Sequence, residues 1–154
     1  MQNRTSPNIL VTGLPGVGKS ALCSKLSEQT GLKWLEVSRI IIENNFEKSN
    51  QIRLLNCIKE KIDLGGNIVD YYFCGIFPSE WFDIVIVLQA DNFILYERCK
   101  KITFDDIAMD ESRYVPSEII YELSNRTWRE FDENLKTIRM WLQKWYVIKV
   151  TPSS

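Results

Sequence analysis

The 154-residue sequence contains no histidine. Chemistry that needs an imidazole, whether as general base, triad member or zinc ligand, is thereby excluded. A C-x-x-C pair is also lacking. The four cysteines, Cys23, Cys57, Cys74 and Cys99, are scattered, each in or beside an expected helix or strand. That distribution suits reduced, mostly packed thiols in a cytosolic or nuclear compartment. No secretory h-region and no apolar run long enough to span a bilayer occurs, so no membrane association is expected. Charge of either sign is not in excess: 19 basic and 20 acidic residues leave a formal net charge of -1. Strong direct nucleic-acid binding is therefore not expected. Repeats and low-complexity tracts are missing too. What remains is a chain of one-domain length (residues 1–154) with 45% hydrophobic residues, ordinary for a packed core.

Apolar patterning supplies the elements. Asn8–Thr12 reads as a short buried strand and Lys19–Thr30 as a helix stopped by Gly31. "KWLEV" reads as a second strand leading into a helical or irregular piece over residues 38–46. Ile52, Leu55, Ile58 and Ile62 form one stripe of a helix ending at Gly65 and Gly66. "NIVDYY" and the nearly continuous apolar run "FDIVIVL" read as further strands. Residues 92–101 read as helix, residues 102–116 as an acidic, turn-like break, and residues 117–145 as one long helix. Its aromatic residues Trp128, Phe131, Trp141 and Trp145 suit a buried stripe rather than a stacking surface. The closing "YVIKV" reads as a last strand. Strands alternating with helices imply an α/β fold with a mainly parallel sheet, whose ligands sit at the carboxyl ends of the strands.

Gly13 falls at such an end. The stretch "GLPGVGKS", residues 13–20, matches G-x-x-x-x-G-K-[ST] in full, directly after a strand and opening a helix. Its glycines let backbone N–H groups converge on phosphate oxygens, and the helix N-terminus favours the anion. Lys19 suits the β- and γ-phosphates, and the Ser20 hydroxyl suits Mg²⁺. No N-K-x-D guanine motif is present, and a motor or AAA module would need far more chain. A short nucleoside or nucleotide kinase fits, because phosphoryl transfer is mostly charge clamping and positioning. Asp70, ending "NIVD", can order the Mg²⁺ shell or accept a proton from the attacking group; an ordinary loop-capping aspartate is the plainer alternative. Arg39 follows the second strand, where an acceptor phosphate would lie, or is a solvated helix-start arginine. Arg98, Arg113, Arg126 and Arg129 are the arginines available to a lid.

"PNILVTGLPGVGKS", "TGLKWLEV", "GGNIVDYYFCGIFPSEWFDIVIVL" and "LYER" together resemble the adenylate kinase isoenzyme 6 family, small nuclear kinases and ATPases also known as small-subunit ribosome assembly factors. The resemblance runs over about residues 7–98. It implies a P-loop NTPase fold of the nucleoside monophosphate kinase type, with three layers and a five-stranded, mainly parallel sheet. It implies ATP with Mg²⁺, an AMP-class acceptor, and transfer of the γ-phosphate to AMP or slow ATP hydrolysis. It also implies action in maturation of the small ribosomal subunit and its 18S rRNA. The implied partner is a platform ribosomal protein or the pre-ribosome, the location nucleus and cytoplasm, and the state monomeric. By position, Gly13, Pro15, Gly16, Val17, Gly18, Lys19, Ser20 and Ala21 take the nucleotide. Ser20 and Asp70 take the metal, Lys19, Asp70 and Arg113 are catalytic, and Arg39 is the acceptor-side residue.

Departures from that family are also legible. Its D-x-H motif reads "DYY" here, with Tyr72 in the histidine's place. Its arginine in the helix after the second strand aligns with Ile42. The acceptor-binding segment, residues 38–64, is short between residues 44 and 51. The lid-like segment, residues 102–116, aligns through "ESRYVPSEI", which gives Arg113 its role. With "YVIKV" as the fifth strand, "TPSS" begins the adenine-facing loop. The other alignment makes "MWLQKW" a terminal helix and deletes that strand.

Overall fold

A computed structural model of the chain describes residues 4–46, 50–90 and 119–150. Five strands among them form one sheet: β1 (Asn8–Thr12), β2 (Lys33–Glu36), β3 (Asn67–Asp70), β4 (Ile84–Gln89) and β5 (Ile120–Ser124). Their order is β2-β3-β1-β4-β5, and every pairing is parallel. The helices are α1 (Lys19–Thr30), α2 (Val37–Glu43), α3 (Gln51–Leu64) and α4 (Trp128–Val150). This is the α/β P-loop NTPase fold.

Alternation along β1 explains the layering, because successive side chains point to opposite faces. Ile9 and Val11 pack with Leu22 and Leu26 of α1 and Leu135, Ile138 and Leu142 of α4. Leu10 faces the other way, onto Leu54, Ile58 and Ile62 of α3 and the Phe77, Trp81 and Phe82 group. All five residues of β1 are buried, as a central parallel strand covered on both faces requires. The α3 stripe is thus Leu54, Ile58 and Ile62, while Ile52, expected in it, is 74% exposed. Trp81 and Phe82 are both core residues.

The C-terminal third corrects the expected element order. β5 lies inside the stretch expected to be one helix, and it pairs with β4 from Val85↔Ile120 to Gln89↔Ser124. Residues 146–150, expected as the fifth strand, instead complete α4. The cause is a helix start at Thr127: its hydroxyl accepts from Glu130 N at 3.1 Å and its carbonyl from Phe131 N at 3.0 Å. No glycine or proline follows before Thr151, so nothing stops the helix once begun. The loop after the fifth strand therefore starts at Asn125 rather than at "TPSS". The terminal helix of the second alignment is present without any loss of a strand. On α4 the buried stripe is Leu135, Ile138 and Leu142, with Phe131 and Trp141 partly covered, whereas Trp128 is 79% exposed. The expected helix over residues 92–101, the lid-like segment 102–116, Arg98 and Arg113 lie outside the described residues.

Candidate functional site

The carboxyl ends of β1, β2 and β3 meet in one row. Val11 is in register with Asp70, and Glu36 is in register with Asp70 from the other side. The sheet alone therefore brings the end of "ILVT", the end of "KWLE" and the end of "NIVD" together. The phosphate-loop motif leaves β1 at that row.

Two glycines of the motif are required by backbone geometry. Gly13 has φ 144°, and a Cβ on it would lie 2.6 Å from the Leu88 carbonyl oxygen of β4. The loop can leave β1 beside β4 only without a side chain. Gly18, at φ 98°, is the left-handed N-cap of α1 and provides no side-chain hydrogen bond. The first amides of α1 therefore have no side-chain cap, and anion-binding loops hold phosphate on such amides. Lys19 Nζ donates to Gly13 O at 3.0 Å and Leu14 O at 3.3 Å, which keeps the ammonium over the loop. Pro15, Gly16, Gly18 and Lys19 are half-buried, Val17 is buried, and Ser20 and Ala21 are exposed.

Asp70 is 5% exposed. Its Oδ2 accepts from Trp34 Nε1 at 3.1 Å and lies 3.5 Å from the Ser20 hydroxyl. Burial raises its carboxyl above the ordinary range. The Trp34 hydrogen bond and the Lys19 charge oppose that shift, and the Glu36 charge adds to it. Ser20 and Asp70 are hard oxygen donors on adjacent elements, which is the donor set Mg²⁺ takes in phosphate sites. Cys23, one turn further along α1, is buried. Desolvation first, then the Asp70 charge, hold its thiol protonated. Cys57 is exposed, so the cysteines are not uniformly packed.

The acceptor side is arranged differently. Arg39, on the first turn of α2, pairs with Glu36 at 3.2 Å and its side chain is 64% exposed. Ile42 is 74% exposed. Arg126 pairs with Glu130 on α4 at 3.2 Å, and Arg129 is exposed. Among the described residues the structure thus brings Lys19, Ser20 and Asp70 together and leaves Arg39 on its own helix turn.

Sequence reasoning missed two residues of this neighbourhood. Trp34 reaches Asp70 only because β2 and β3 pair, a relation that no local pattern announces. Asn125, just after β5, donates from Nδ2 to the Val17 carbonyl at 2.8 Å, and its backbone N–H donates to Gln89 O at 2.7 Å. Asn134 of α4 lies 3.5 Å from Asn125 Oδ1 and donates to Ser124 O at 2.8 Å. A buried amide chain thus ties α4 and the end of β5 to the phosphate loop. Recognising β5 in "IIYELSN" would have exposed Asn125, since it then stands at a strand's carboxyl end.

A family model described as an AAA domain matches residues 9–116. An adenylate kinase isoenzyme 6 homolog of Caenorhabditis elegans is 34% identical over 163 residues, covering 89% of this chain and 90% of that protein. Its counterpart in Drosophila melanogaster is 30% identical, with 90% and 93% covered. Among solved structures, a gluconokinase from Sinorhizobium meliloti 1021 superposes with a TM-score of 0.64 at 13% identity, covering 94% of this chain and 98% of that one, a likeness of fold alone. No helix among the described residues is long and apolar enough to cross a membrane. With the phosphate-loop geometry and the relatives in agreement, the chain belongs to the adenylate kinase isoenzyme 6 family and is an adenylate kinase-like, nucleotide-binding protein.

Proposed function

We propose that this chain binds ATP with Mg²⁺ and hydrolyses it slowly, with weak transfer of the γ-phosphate to AMP, as a step in small ribosomal subunit maturation. The observation that carries the reading is the convergence of Lys19, Ser20 and Asp70 on the loop over residues 13–20. The loop backbone and the α1 amides bind the β- and γ-phosphates, and Lys19 balances their charge. Bound Mg²⁺ on Ser20 and Asp70 would neutralise charge on the phosphate oxygens. Trp34 orients Asp70 for that task and opposes the upward shift that burial imposes on its carboxyl. The ribosomal role, the platform-protein or pre-ribosome partner and a nuclear and cytoplasmic location rest on the family resemblance. The arginine role of Arg113 rests on the same ground.

Weak AMP transfer follows from a specific arrangement. The α2 arginine that would clamp an acceptor phosphate, Arg39, is engaged by Glu36, and Tyr72 replaces the family's histidine. Clamping charge is most of what phosphoryl transfer needs from a protein. The test is ADP formation from ATP with and without AMP, using wild type beside Asp70→Asn. Slow, AMP-independent ADP formation that disappears in Asp70→Asn is expected. Strong AMP-dependent turnover would overturn the weak-transfer reading, and turnover unchanged by Asp70→Asn would overturn the role of Asp70.

A further inference from the structure

Among the described residues the sheet ends at β5, which pairs with β4 alone. Edge strands are usually blunted by lysine, proline, a bulge or a covering element, because an open edge invites another strand. β2, the opposite edge, opens on an exposed lysine, Lys33. β5 contains neither lysine nor proline. Asn125 N donates to Gln89 O at 2.7 Å. Alternation along a parallel ladder then turns the N–H and C=O groups of Tyr121 and Leu123 toward β4 and those of Glu122 outward. The outward run stops at Ser124, whose carbonyl accepts from Asn134 Nδ2 at 2.8 Å.

Beside this edge lies a groove. Tyr121 is in register with Ile86, and Leu123 with Leu88, so both share the sheet face that α4 covers. α4 packs there through Leu135, Ile138 and Leu142 and leaves about 300 Å³ between its flank and β5. Ile84 and Ile86 supply the floor, Tyr121 and Leu123 one wall, and Met140 and Trp141 the other. Tyr121 is 44% and Met140 58% exposed, so the apolar lining is open to solvent. Lys144 is the one charged side chain in that lining among the described residues. It is exposed and has no ion-pair partner among them. The Glu122 carboxylate does not supply one: it is in register with Val87, which packs into the opposite layer. An apolar groove with a single cation suits a peptide rather than a nucleic-acid backbone, which needs several cations.

We propose that β5 and this groove dock an extended, acidic and apolar segment of a partner protein. The segment adds a strand at Glu122 on the outward side of β5. Its alternate side chains fill the space between Tyr121 and Met140, and one carboxylate meets Lys144. Backbone hydrogen bonds would then supply affinity, and the groove would supply specificity. Ile84 and Tyr121 lie toward the amino ends of their strands, whereas the phosphate loop is at the carboxyl ends, so the inference does not depend on nucleotide binding.

The test selects random displayed peptides of about twelve residues on the full-length protein and, in parallel, on Met140→Asp. Peptides that alternate apolar residues with at least one Asp or Glu should be enriched on wild type and lost on Met140→Asp. A synthetic representative should bind Met140→Asp about tenfold or more weakly, and Lys144→Glu severalfold more weakly. Exchanging its acidic residue for lysine should restore binding to Lys144→Glu. Both substituted positions are exposed, and unfolding curves confirm that the variants fold. N-methylating one alternate set of peptide amides should abolish binding, while methylating the other set leaves it within about threefold. Failure to enrich any peptide sensitive to Met140→Asp would overturn the proposal. Equal effects of the two N-methyl sets would overturn the added strand, and an unchanged affinity for Lys144→Glu would overturn the acidic contact. A wild-type dimer in sedimentation that Met140→Asp dissociates would make the occupant a second copy of this chain and overturn the partner assignment.

Discussion

Asn125→Ala perturbs the phosphate loop from 108 residues away in the chain. The substitution removes the Nδ2 donor held 2.8 Å from the Val17 carbonyl and the Oδ1 that lies 3.5 Å from Asn134. Val17 is 1% exposed, so water does not easily replace the lost donor. Leaving one buried polar group unsatisfied costs about 1–3 kcal/mol. That loss divides between two readouts. One part lowers folding stability and moves the urea midpoint. The other loosens the loop against β5 and appears only when a phosphate has to be held. With about 2 kcal/mol lost in all, placing half on the loop weakens ATP about fivefold, and placing all of it there weakens ATP about thirtyfold. Urea unfolding and an ATP titration in Mg²⁺ together measure the sum. Asn125→Asp keeps the shape but turns an anionic oxygen toward a carbonyl, so it should be at least as damaging. If Asn125→Ala left ATP affinity within about twofold and stability within about 0.5 kcal/mol, the amide chain from α4 would have no role in holding the loop.

Further outcomes follow from the same geometry. Gly13→Ala should be far more destabilising than Gly31→Ala. A Cβ at Gly13 meets Leu88 O at 2.6 Å, whereas one at Gly31, φ 78°, meets nothing within 4 Å. The Gly31 change should then cost only the roughly 1–2 kcal/mol of left-handed strain, and equal melting temperatures would contradict the close approach of the loop to β4. Asp70→Asn should stabilise the protein at neutral pH even as it removes turnover. Burial raises the Asp70 carboxyl above 3.8, so folding favours its protonated form and its ionisation opposes folding. The gain should therefore be full above the raised value, shrink as pH falls through it, and vanish below 3.8. Lower stability of the mutant at pH 7 would refute this. Thr127→Ala should cost about 0.5–2 kcal/mol in urea unfolding through loss of the α4 cap; no measurable change would argue against a helix start there.

The legible and illegible parts of this chain separate by how far apart the deciding groups lie. The phosphate loop is local: eight consecutive residues carry both the turn geometry and the chemistry, and their strand and helix neighbours adjoin them. β1, β3 and β4 are legible because a strand covered on both faces is apolar throughout. β5 is not, because "IIYELS" suits strand or helix, and only pairing with Val85 to Gln89 decides between them. The helix start that follows it was written in the sequence as Thr127 and Glu130, yet taking residues 117–145 as one long helix obscured it. "YVIKV" has strand composition, but a helix already begun and unbroken by glycine or proline overrides that preference. Arg39 was the acceptor-side candidate by position, and its partner Glu36, three residues earlier, is near enough in sequence to have been anticipated. Trp34 and Asn125 act across strand pairings and a 108-residue separation, which no one-dimensional pattern contains.

The central claim is that the loop over residues 13–20 is an ATP·Mg²⁺ site whose grip depends on Lys19. The most direct measurement is the ATP dissociation constant of Lys19→Ala beside wild type, in Mg²⁺, with unfolding curves to show that both are folded. Lys19 Nζ stands over the loop on Gly13 O and Leu14 O, so its removal takes away an ammonium placed to meet the phosphates. A loss of about tenfold or more in a folded mutant is the predicted result. Equal affinity for ATP in the two proteins would contradict it.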